Sequence, residues 1–116
     1  MTGPIISDDP LYQLLRNDDI TGFNQARSEG KACNLSGCDL RGLDLRRLII
    51  TGMTLENAYF RGADLRGIDF RGCNLDGASL AGARISGCYF PAGLSSEEIQ
   101  LSVNMGTRLR HTYDKS

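Results

Sequence analysis

The side chains with chemistry to offer are four cysteines (Cys33, Cys38, Cys73, Cys88), one histidine (His111), the aspartates Asp39, Asp44, Asp64 and Asp69, and the arginines Arg41, Arg46, Arg61 and Arg66. A structural zinc site is built from convergent ligands, commonly in short Cys-x-x-Cys pairs, and no such pair is present. His111 stands beside Arg110 near the chain end, with no nucleophile and no carboxylate that the sequence groups with it, so a triad cannot be assembled. The aspartates invite calcium, because one class of repeat binds it through glycine-rich turns of the form GGxGxDxUx. Here the paired glycines are missing and Asp alternates with Arg. The reading is therefore a chain without catalytic residues, metal or cofactor, with its thiols serving as small apolar residues in a reducing compartment.

What positions these residues is a period of five. In RGADLRGIDFRGCNLDGASLAGA, residues 61–83, every fifth residue is Leu or Phe. The apolar centres run without interruption from Leu35 to Phe90 through twelve pentads. Two residues before each centre is a second apolar or small side chain, and all four cysteines fall in that column. Between the two stands a residue that is polar except at Ile49, Tyr59 and Tyr89; two residues after most centres comes Gly. A step of five residues turns about 140° beyond one full helical turn, so the centres would scatter around a helix. On a strand they would alternate between faces. The period demands a chain that points inward twice per repeat and turns a corner at its end, stacked on copies of itself.

These pentads, seen as ADLRG at 63–67, CNLDG at 73–77 and ASLAG at 78–82, resemble the A(D/N)LxG repeat of the pentapeptide-repeat proteins over residues 33–90. The resemblance implies an all-β solenoid, a right-handed quadrilateral β-helix with four pentads per coil and three coils. On that register Cys33 and Cys73 share a face two coils apart, about 9.6 Å at ladder spacing, which is too far for a disulfide.

The ends are not repeats, as a coil with two open ends requires. Asp9-Pro10 and Asp19 read as helix starts and Gly30 as a stop, making residues 1–30 an N-terminal helical cap ahead of the β-helix at 31–91. In residues 92–116, Ser95 and Glu98 form a capping box, Leu94 and Ile99 a hydrophobic staple, and Gly106 a stop, followed by a polar, frayed tail with an exposed His111.

Charge totals are nearly balanced, 13 basic against 14 acidic residues, so direct nucleic-acid binding of the strongly basic kind is not announced. The first residues lack a signal-peptide pattern and no apolar run is long enough to span a bilayer, so the chain reads as soluble and cytoplasmic, with no membrane contact. Arginines at 41 and 61, and at 46 and 66, stack on neighbouring faces, each preceded two residues earlier by Asp or Tyr that would neutralise or cover it. The pentad RLIIT lacks its glycine, and Ile49 and Tyr89 share an outward column that a terminal helix or a second copy of the chain must cover. The expected function is a non-enzymatic interaction module presenting a rigid surface to a protein partner, with no small-molecule substrate. The alternative is a DNA mimic that binds DNA gyrase. That reading asks for a long negative rod, whereas residues 31–90 carry eight basic and six acidic side chains.

Overall fold

The computed structural model describes residues 3–112. Asp9 opens helix α1 (Pro10–Arg16): its carboxylate accepts the Leu11 and Tyr12 N–H groups at 2.8 and 3.4 Å, and Pro10 occupies a position whose N–H has no partner to lose. Asp19 caps α2 (Ile20–Ser28) in the same way, accepting from Gly22 at 2.8 Å. The two helices pack together and bury Tyr12, Leu15 and Phe23 completely. The Tyr12 hydroxyl donates to the Asp39 carbonyl at 2.7 Å and so ties this cap to the first coil. Ahead of α1, Ile5 pairs in parallel with Cys38 through bonds of 2.9 and 2.8 Å. One bridging residue leaves no periodic trace, and for that reason the sequence shows no sign of it.

From residue 39 onward the chain pairs with itself at a constant offset. Parallel bridges join Asp39 to Tyr59, Asp44 to Asp64, Thr54 to Asn74, Tyr59 to Ser79, Asp64 to Arg84 and Asp69 to Tyr89. Every partner lies 20 residues further on, so one coil is four pentads. Among the described residues the pairing consists of isolated bridges and no bridge extends into a strand, while the three α-helices lie at the two ends, where the sequence places caps. Each bridge falls on the middle residue of a pentad. Two inward-pointing residues flank it and a turn follows at once, so the ladder has no room to lengthen.

Each turn closes with a bond from the residue three beyond a centre back to that centre, as from Ala63 to Phe60 at 2.9 Å and from Cys73 to Phe70 at 3.0 Å. The third residue of these turns has positive φ, 68° at Gly62 and 79° at Gly72, as a type II turn requires and glycine tolerates. Arg47 (φ 72°) and Asn57 (φ 60°) hold the same conformation where glycine is missing.

The centres Leu35, Leu40, Leu45, Leu55, Leu65, Phe70, Leu75 and Leu80 have no exposed surface, and neither have Ala58, Ala63 and Ala78 two residues before a centre. Burial of each such leucine contributes about 1.5–3 kcal/mol. In the last coil Ile85 and Phe90 are half-buried. Beyond them lies α3 (Ser96–Met105), capped by the Ser95 hydroxyl, which accepts the Glu98 N–H at 3.1 Å, and ended by Gly106 at φ 75°. Leu94 and Ile99 are buried as the staple pairing predicts.

The expectation of a frayed tail needs correction. Leu109 is 1% exposed, its N–H bonds the Ala78 carbonyl and its carbonyl takes the Gly77 N–H, both at 2.8 Å, while Arg108 bridges Ser79 in antiparallel sense. Thr112 N–H reaches the Gly93 carbonyl at 2.7 Å. Ser102, fully buried, joins the pieces: its hydroxyl accepts from Leu80 N–H at 2.9 Å and donates to the Thr107 carbonyl at 2.6 Å. The part of the expected tail from Tyr113 onward lies outside the described residues. Among the described residues no helix is long and apolar enough to cross a membrane.

Candidate interaction surface

The outward corners are organised by a local Asp-x-Arg unit. Arg41 sets Nε 2.8 Å and Nη2 2.9 Å from the two oxygens of Asp39. The same fork recurs for Arg46 on Asp44 (2.9 and 2.7 Å), Arg66 on Asp64 (2.9 and 2.7 Å) and Arg71 on Asp69 (3.0 and 2.8 Å). In each unit the arginine's backbone N–H also donates to the aspartate, at 3.1 Å in Asp39–Arg41 and 2.9 Å in Asp69–Arg71, so the turn itself presents one side chain to the other. Arg46 reaches across to Asp64 of the next coil at 3.5 Å. The bonds from Arg66 and Arg71 hold the carboxyls of Asp64 and Asp69 down at about 2, and Arg41 and Arg46 lower those of Asp39 and Asp44 in the same way. Three of the four expected arginines, at 41, 46 and 66, are therefore neutralised within their own pentads.

Arg61 is different. Tyr59 stands where the other units have Asp, and among the described residues no carboxylate pairs with Arg61. The Tyr59 ring is already covered by Arg108, whose guanidinium lies 5.3 Å from the ring centroid and 2.9 Å from the hydroxyl. Arg61 instead opens onto a groove shared with Gly62, Ala81, Val103 and Met105, the last 73% exposed. Sequence reasoning had no means of singling out Met105, since its helix becomes a wall of this groove only once α3 folds back on the last coil.

Ile49 and Tyr89 lie on another face, 60% and 57% exposed, with Asp69 between them in the column. The Arg71 guanidinium sits 4.5 Å from the centroid of the Tyr89 ring. Among the described residues no bridge joins Ile49 to Asp69. The Asn24 amide of α2 takes that role, accepting the Ile49 N–H at 2.9 Å and donating to the Arg47 carbonyl at 2.8 Å. A terminal helix thus covers the Ile49 backbone and leaves its side chain in water.

All four cysteines are free thiols. Cys38 and Cys73 are buried and Cys33 and Cys88 half-buried, so the reading of uniformly enclosed thiols holds for two of them. Cys73 donates to the Ile50 carbonyl at 3.1 Å and Cys88 to that of Leu65 at 2.9 Å. Burial raises all four, Cys33 to about 12. His111 is not an exposed imidazole: the residue is half-buried against Gly93, and its backbone N–H reaches Asp76 Oδ1 at 3.3 Å.

Coils of four pentads with positive-φ turns and an interior filled by two apolar columns define a repeat protein. The description "Pentapeptide repeats" matches residues 31–62 and 55–90, in eight copies, and the chain belongs to that family. Neither a curated protein nor a solved structure matches the chain.

Proposed function

We propose that this chain is a non-enzymatic interaction module, a right-handed quadrilateral β-helix that presents a rigid outer surface to a protein partner. Membership of the pentapeptide-repeat family supports a structural or protein-interaction role, and the 20-residue offset of the bridges supports four sides per coil. With the coil interior filled by leucine, phenylalanine and alanine side chains, recognition takes place on the outside.

The observation that carries the reading is the difference between Arg61 and its neighbours. Arg41, Arg46 and Arg66 spend their donors on their own aspartates, whereas Arg61 keeps its guanidinium available beside a groove that exposes Met105. A cation next to a flexible thioether suits a partner segment that offers a carboxylate beside an apolar side chain. Affinity capture from lysate, with Arg61→Ala and Met105→Ala as parallel baits, tests this. A protein retained by the unaltered chain and lost with both variants is expected; retention indifferent to both would remove this surface from consideration.

A further inference from the structure

We propose that the face carrying Ile49, Asp69 and Tyr89 is a symmetric contact with a second copy of this chain, a proposal that does not depend on the partner suggested above. Two columns of side chains share the face: Ile49, Asp69 and Tyr89 at the middle positions, and Thr51, Arg71 and Pro91 two residues later. Both columns are open to solvent, Pro91 only in part. Ile49 and Tyr89 stand 60% and 57% exposed on this face, and α2 leaves the Ile49 side chain uncovered.

The pattern is self-complementary in one arrangement. A two-fold axis parallel to the coil axis and lying between the columns exchanges them, so that each middle residue meets the partner copy's residue two positions later. Asp69 then faces the second copy's Arg71 and the reverse, Tyr89 meets Pro91, and Ile49 meets Thr51. An axis perpendicular to the coil axis would instead set Asp69 against Asp69 and Arg71 against Arg71, burying like charges together. The charges therefore select a parallel pair. Arg71 is pre-oriented for it, because its fork on Asp69 and its position over the Tyr89 ring hold the guanidinium on the face. Three coils stacked at about 4.8 Å make a short face, and a contact this small belongs to the weak class below about 1,200 Å² in total.

Sedimentation velocity from about 10 µM to about 1 mM, the range in which small interfaces associate, reads the equilibrium. A monomer–dimer transition within that range is expected. Asp69→Arg should weaken it at least about tenfold and Arg71→Asp likewise, since each sets like charges across the axis. Mixing the two variants should restore a heterodimer, which a folding defect in either could not do. Cysteine cross-linking reports the direction: Ile49→Cys mixed with Thr51→Cys should form a disulfide under mild oxidation, and Ile49→Cys mixed with Tyr89→Cys should not. A chain that stays monomeric throughout, a dimer indifferent to both charge changes, or the Ile49–Tyr89 cross-link in place of the Ile49–Thr51 one would each overturn the proposal.

Discussion

The rings of Phe70 and Phe90 stack 5.5 Å apart with their planes 15° from parallel, although twenty residues separate them in the chain. Phe60, on the opposite face of the coil, meets Phe70 edge-on across the interior at 6.1 Å. Three aromatic rings thus pin adjacent coils and opposite faces together. Phe70 is fully buried at their junction, and Phe70→Ala should destabilise the fold by about 3–5 kcal/mol. Leu65→Ala, equally enclosed but outside the aromatic cluster, should cost about 2–5 kcal/mol. Urea unfolding followed by far-UV circular dichroism measures both, and a loss below about 0.5 kcal/mol at Leu65 would mean that the centre column is not the core.

Ser102 holds the C-terminal cap by serving two backbone groups at once. Ser102→Ala leaves the Leu80 N–H and the Thr107 carbonyl without that partner in a buried site, so a loss of about 1–3 kcal/mol is expected. Hydrogen exchange should show the damage locally, with faster exchange at Leu80 and Leu109 and little change around Leu40.

Arg47 is a turn residue in the wrong conformation for its side chain. Its φ of 72° costs an L-residue about 1–2 kcal/mol relative to glycine, and the added chain entropy of glycine returns part of that. Arg47→Gly should therefore stabilise the protein by roughly 0.5–1 kcal/mol. The Asn24 bond goes to the backbone carbonyl of residue 47 and survives the change. A lower denaturation midpoint in the variant would show that the arginine side chain has a structural role of its own.

The aspartate–arginine forks set the response to acid. Asp64 and Asp69 fall from an ordinary 3.8 to about 2 in the folded chain. A carboxyl lowered by folding contributes stability above its unfolded value and loses it as pH falls through the folded one. The thermal midpoint should hold steady down to about pH 4 and then decline between pH 4 and 2. Asp64→Asn with Asp69→Asn should flatten that decline; an unchanged slope would assign it to other carboxyls.

The thiols should be slow to react. Thiolate is the attacking species, and burial holds Cys33 near 12 with the other three also raised. At pH 8 iodoacetamide should modify native protein at least about tenfold more slowly than unfolded protein, with half-buried Cys88 ahead of Cys38 and Cys73. Rapid modification of Cys73 in native protein would contradict its enclosure.

The sequence alone determined which residues point inward, because a five-residue period, an inward pair and a glycine turn mark the same positions in every pentad; four pentads to a coil was implied by the family resemblance and is seen in the 20-residue offset of the bridges. Leu35 through Leu80 are buried where the period places them, and the caps at Asp9, Asp19 and Ser95 form where their side chains can reach a free N–H. Those are local rules, acting over five residues or fewer. The closures that join distant segments left no such trace: Ile5 on Cys38, Tyr12 on Asp39, Asn24 on Ile49 and Ser102 between Leu80 and Thr107 each rest on one or two hydrogen bonds across a long stretch of chain. The surface divides in the same way. Asp-x-Arg pairing could be read from the spacing, since a turn brings residues two apart together, whereas the freedom of Arg61 depends on Tyr59 being claimed by Arg108 and on α3 folding back beside it, which only the tertiary structure decides.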